Sequence, residues 1–89
     1  MDAEDIRRLT AVGYRYYERV ASGADVQTLV LEDDAGICVM HAARGGGKIY
    51  VAHDESVLFV GSMMDYEAGL AAFRAGTRTP PEKFTLSTP

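Results

Sequence analysis

Four apolar runs, "VQTLVLE" (26–32), "ICVMHAA" (37–43), "KIYVAHD" (48–54) and "VLFVGS" (57–62), follow one another with only two to four residues between them. That spacing constrains the chain more than anything else in it. Parallel strands need a crossover of a dozen or more residues, so runs this close can only pair antiparallel, each with the next. Their content of Val, Ile and Tyr suits a pleated surface, and Asp and Gly supply the connections. The sequence therefore predicts a four-stranded meander in the order 1-2-3-4. The predicted hairpin loops are "DDAG" (33–36), "RGGG" (44–47) and a tight turn at Asp54 and Glu55.

Those loops imply a register. Leu31 faces Cys38, Leu29 faces Met40, Met40 faces Val51, Ala42 faces Ile49 and Val51 faces Leu58. Because side chains alternate with period two, Leu29, Leu31, Cys38, Met40, Ala42, Ile49, Val51, Leu58 and Val60 then share one side of the sheet. Val30, Ile37, Val39, His41, Tyr50, Ala52, Val57 and Phe59 share the other.

Helices flank the meander. Over residues 2–21, Ile6, Leu9, Gly13, Tyr16, Tyr17 and Val20 recur at three- and four-residue steps, with Asp2, Glu4 and Asp5 at the start and Ser22-Gly23 as a stop. Gly13 costs about 1 kcal/mol against alanine in mid-helix, which points to close approach of helix and sheet. A second helix is expected over 63–75, started by Ser62 with Asp65 three residues on and closed by Gly76. Its buried stripe would be Met63, Tyr66, Leu70 and Phe73. Pro80 and Pro81 make the end extended, with Phe84 and Leu86 available to pin it. The expected fold class is α+β: helix, antiparallel sheet, helix and tail. Residues 1–79 would form one domain and 80–89 the tail.

With 89 residues and a net charge of −4, the chain lacks the basic surface that phosphate neutralisation requires, so nucleic acid is not an expected partner. No apolar run reaches the ~20 residues of a membrane span, and "MDAEDIRRLT" has no secretory core. A single cysteine, Cys38, forms no internal disulfide. Cytoplasmic residence is the expectation.

The closest approach to a catalytic signature is "HAARGGGKIY". A phosphate loop of the G-x-x-x-x-G-K-[ST] type needs glycine at 42 and Ser or Thr at 49, where this chain has Ala42 and Ile49, and it should open a helix rather than a strand. The glycines read as a hairpin. His41 and His53 fall on opposite faces and cannot share a metal. Cys38 with His53 lacks the four-ligand pattern of structural zinc and a visible oxyanion hole for a nucleophile. No cofactor is expected.

Turns alternate between the ends of a meander, which gathers Glu32, Asp33, Asp34, Asp54 and Glu55 at one end as an acidic pole with no compensating base. Such a pole can dock a basic partner, raising its on-rate. The apolar side holding Val39, His41, Tyr50 and Phe59 is the second candidate surface. Either each helix covers one side, or both share the first and leave this one for a partner, with a homodimer as the simplest form. Shared coverage is the favoured arrangement.

The segment "YEAGLAAFRAGTRTPPEKFTL", after "GICVMHAA" and "GGKIYVAHD", resembles the small immunity proteins of bacterial polymorphic toxin systems. In one group of these a glycine-punctuated meander leads to a helix, a G-x-R-x-P turn and a final strand. Gly76, Arg78 and Pro80 match that turn, and Phe84 stands where an aromatic closes it. The chain departs in lacking tryptophan and in its longer first helix. The resemblance implies a non-catalytic protein that neutralises a cognate toxin by binding. The alternative is a dimeric small-molecule-binding or enzyme-accessory domain with a pocket between sheet and helix, for which His41, Tyr50 and Tyr14 are the available polar groups.

Overall fold

A computed structural model describes residues 2–20, 25–41, 47–61 and 63–80. Helix α1 spans Ala3–Val20, strands β1 to β4 span Val26–Val30, Ile37–His41, Lys48–Val51 and Val57–Val60, and helix α2 spans Tyr66–Arg74. The strands form one antiparallel sheet in the order β1-β2-β3-β4. The fold is α+β, as the spacing of the apolar runs requires. The turn at 44–47 apart from Gly47, the stop at Ser22-Gly23, the cap at Ser62, and Phe84 and Leu86 lie outside the described residues.

The sheet separates two apolar cores. On one side α1 lays Leu9, Val12 and Tyr17 over Ile37, Val39, Ile49, Val51 and Val57. On the other side α2 lays Leu70 and Phe73 over Cys38, Tyr50, Leu58 and Val60, with Leu31 and Ala52 completing the layer. Each helix thus covers its own side. Shared coverage of one side is corrected, and with it the open apolar face it would have left.

The reason lies in β3. The observed pairs are Leu29 with Cys38, Cys38 with Tyr50, and Tyr50 with Leu58. Relative to the expected register, β1, β2 and β4 keep their sides while β3 is inverted between them. Ile49 and Val51 point to α1, and Tyr50 points to α2. Met40 does share a side with Leu29, but it pairs with Gln27 and Lys48 rather than with Leu29 and Val51. The β3–β4 loop has three residues where the sequence predicts two. Ala52 N donates to Ser56 O (2.9 Å) and Glu55 N to Ala52 O (2.8 Å). Glu55 takes a left-handed φ of 72°. This is a type I turn closed by a left-handed bulge residue, a common three-residue hairpin. This odd loop flips β3 relative to β4, and the three-residue displacement of β3 along β2, with Met40 facing Lys48 rather than Val51, flips it relative to β2 as well.

Close approach on both sides depends on glycine. A Cβ on Gly13 would stand 2.5 Å from Val39 Cγ2, and one on Gly69 would stand 2.5 Å from the Tyr50 hydroxyl. Helix α2 is shorter than expected. Asp65 caps it, accepting from Ala68 N at 2.8 Å. Met63 therefore precedes the helix and is 99% exposed rather than part of the buried stripe. Gly76 ends α2 with φ 101°, its N–H donating to Phe73 O and Thr77 N–H to Ala72 O, both at 3.0 Å. That pair of bonds satisfies carbonyls the last turn would leave unpaired.

Candidate functional site

The predicted acidic pole is assembled, though not as an unbalanced one. Glu32, Asp33 and Asp34 form a tight turn between β1 and β2, and the β3–β4 turn carrying Asp54 and Glu55 lies beside it, since His53 Nε2 donates to Asp34 O at 2.6 Å. Asp33 and Asp34 hold left-handed φ values of 56° and 61°. Both are residues that tolerate this region better than most. The correction concerns the bases. Arg8 of α1 reaches Glu55 at 2.9 Å, and Arg74 of α2 reaches Asp33 at 3.1 Å. Arg8 also donates to His53 O (3.1 Å) and lies 3.5 Å from Asp5. Each helix thus tethers one turn. As solvent-exposed pairs, screened by water and salt, they place the turns more than they stabilise the fold.

Asp54 acts within its own turn. Its Oδ1 accepts from Ser56 N (3.0 Å) and Ser56 Oγ (2.6 Å), and these hydrogen bonds hold its carboxyl below the usual range. Glu32, and Asp25 just ahead of β1, make no ion pair among the described residues.

The second predicted surface does not exist as one. Val39 and Tyr50 are buried on opposite sides, beneath α1 and α2 respectively. Phe59 packs at the margin of the α1 core, and half-buried His41 pairs with Val26 at the end of β2. Tyr50 is instead the centre of the α2 core. Its hydroxyl donates to Tyr66 O at 2.8 Å, and its ring lies 5.6 Å from Phe73 and 6.0 Å from Tyr66. His41, Tyr50 and Tyr14 therefore do not converge on a pocket. A small cleft of about 110 Å³ lies elsewhere, between α1 and the β3–β4 turn, lined by Val12, Arg15, Tyr16, Arg19 and Glu55.

Cys38 and His53 are not brought into a reactive pair. Cys38 is fully buried in the α2 core, and burial pushes its thiol up to about 12, far from the thiolate a nucleophile requires. His53 is exposed in its turn. Among the described residues no three His, Cys, Asp or Glu side chains are grouped to hold a metal. No helix of the described residues is long and apolar enough to cross a membrane.

What sequence reasoning missed is the contrast between the sheet's two edges. Beyond β4 the chain after α2 lies alongside the strand: Thr79 N donates to Val57 O (2.8 Å) and Phe59 N donates to Thr79 Oγ1 (2.9 Å). Arg78 secures this segment. Its Nε donates to Ser56 Oγ (2.8 Å), its Nη1 to Phe73 O (2.8 Å), and its guanidinium lies 4.1 Å above the Phe73 ring. The Gly76, Arg78 and Pro80 turn is thus an edge seal. At the opposite edge, no described residue pairs with the outer side of β1. Leu29 is 43% exposed on the α2 side and Val30 47% on the α1 side, at the end of β1 away from Val26, which packs against the α1 core. The alternation of β1 carried a signal for this: Gln27 and Thr28 interrupt an apolar strand, a composition suited to an edge.

Compared with protein-family models, with curated proteins and with solved structures, the chain gave no match.

Proposed function

We propose that this chain is a small, non-catalytic protein-binding module, of the functional class to which the immunity proteins it resembles belong, and that it docks a basic partner along β1 and the adjoining acidic turn. One observation carries the reading: the β4 edge is sealed by the chain's own Thr77–Pro80 segment, while β1 has no pairing strand on its outer side among the described residues and carries two large exposed apolar side chains. Natural sheets rarely leave such an edge uncovered unless something pairs with it. Glu32 and Asp25 flank that edge without an ion pair among the described residues, so the local field favours a positively charged partner. A toxin neutralised in the cytoplasm is the partner the resemblance suggests.

The test is capture of the partner from the source organism, followed by association kinetics with both proteins purified. Asp25→Lys combined with Glu32→Lys should lower the association rate about ten-fold at low salt, with the difference shrinking as salt is raised. The melting temperature should move little, since both are exposed positions with no ion pair among the described residues. A stoichiometric partner whose rate ignores the double substitution would refute docking at this pole, and failure to recover any stoichiometric partner would refute the binding module itself.

A further inference from the structure

Resting on that reading, we propose that β1 receives an extended segment of the partner, flanked by lysine or arginine, as a fifth strand of the sheet. The backbone geometry defines the receptor. Leu31 N donates to Gly36 O at 2.9 Å, and the β1–β2 register continues this pairing through Leu29 with Cys38 and Gln27 with Met40. In an antiparallel ladder alternate residues turn their N–H and C=O toward the same neighbour. The intervening residues, Val26, Thr28 and Val30, therefore aim theirs outward. Three donors and three acceptors stand in a row with no strand beside them among the described residues. Buried or half-buried backbone groups seek partners, and an extended chain is the ligand that satisfies such a row in one step.

The side chains agree. Leu29 and Val30 are exposed on opposite sides, so a strand laid against β1 gains an apolar neighbour on each. Thr28 Oγ1, at the middle of the same strand, is the one buried side-chain polar atom without a hydrogen-bond partner among the described residues. Charge selects the occupant. Asp25 precedes β1 and Glu32 follows it, and neither makes an ion pair among the described residues. A second copy of the chain would fit the backbone, since pairing about Thr28 matches all six outward groups. It would, however, bring together two chains that each carry a net charge of −4, and that like charge opposes their approach. A segment with basic flanks turns the same carboxylates into attraction.

The test uses the whole chain with the peptide Lys-Lys-Val-Thr-Val-Thr-Val-Lys-Lys as probe. Amide resonances of Val26, Thr28 and Val30 should shift on titration and their hydrogen exchange should slow, with affinity falling about ten-fold or more between about 0.05 and 0.5 M salt. Methylating alternate peptide nitrogens should abolish both effects. So should Thr28→Pro, which removes the central outward N–H at a position where an edge strand tolerates proline. Absence of binding at millimolar peptide would overturn the proposal. Equal binding of a glutamate-flanked peptide, or shifts confined to the turns with the β1 amides unmoved, would do the same. Slow exchange of the β1 amides without peptide, together with sedimentation as a dimer, would assign the edge to a second copy and equally overturn it. None of these results bears on whether a captured protein binds, so the two readings fail separately.

Discussion

Tyr50 and the two glycines that admit it and its neighbours show how much of this fold rests on single atoms. The Tyr50 ring fills the space beneath α2 only because Gly69 carries no Cβ, and its hydroxyl is satisfied by the first carbonyl of that helix. Gly13 does the same for α1 over Val39 and Val51. Two opposed effects decide what Gly13→Ala would do. Alanine gains about 1 kcal/mol of helix propensity. Its methyl must also fit 2.5 Å from Val39 Cγ2, on a branched side chain that is itself fully buried and has little room to give. Overpacking of this kind costs about 1–3 kcal/mol, so the clash should win. Urea unfolding should place Gly13→Ala about 1 kcal/mol below the wild type, and Gly13→Ala with Val39→Ala should recover the propensity gain less the cavity left behind. A more stable single variant would show that α1 rides higher on the sheet than described.

At the scale of elements, the meander, its strand order and both helices were legible because they follow from spacing and periodicity. The sides of β3 were not. Nothing in "HDES" announces that Glu55 takes the left-handed bulge position, a place glycine usually fills, and the two-residue alternative uses equally good turn residues. The odd loop inverted β3 relative to β4, and an odd displacement along β2, Met40 facing Lys48 rather than Val51, inverted it there too, moving Tyr50 out of a supposed surface and into a core. The acidic pole was legible because loop position survives such a slip. Its bases were not, since Arg8 and Arg74 arrive from helices whose placement depends on which side each covers. Arg78 stands out in the sequence only as part of a motif, whereas in the structure it joins α2, the β3–β4 turn and the β4 edge. Arg78→Lys keeps the charge but loses the planar fork that serves Ser56 Oγ and Phe73 O together while lying on the Phe73 ring. A loss of about 1–3 kcal/mol is expected, with the Phe59 amide, which donates to Thr79 Oγ1, exchanging faster than its neighbours in β3. Unaltered exchange at Phe59 would mean that the edge seal holds without its arginine.

Taken whole, the molecule stacks one helix on each side of a single thin sheet, and the described ionisable side chains packed into these layers are all of one kind. Cys38, Tyr17, Tyr50 and Tyr66 are acids that are neutral when protonated, and burial raises the pKa of each. For Cys38 the folded value is about 12, against about 8.5 in an unfolded chain. Between those values the unfolded chain has released the thiol proton and the folded one has kept it. Stability follows the difference in bound protons, unfolded minus folded, which is negative in that window, so stability falls as pH rises. The contribution is fully present below about pH 8.5 and is lost progressively toward pH 12, with the tyrosines adding to the same slope above about pH 10. Urea midpoints should therefore fall from about pH 9 upward. Cys38→Ala should lower stability near pH 7 through its lost packing while flattening the first part of the alkaline decline. The native thiol should likewise resist iodoacetamide near pH 8 until urea unfolds the chain, because a buried, protonated thiol is a poor nucleophile. Rapid alkylation of the folded protein, or an alkaline decline that Cys38→Ala leaves unchanged, would mean that the layer between sheet and α2 opens to solvent far more readily than its packing implies.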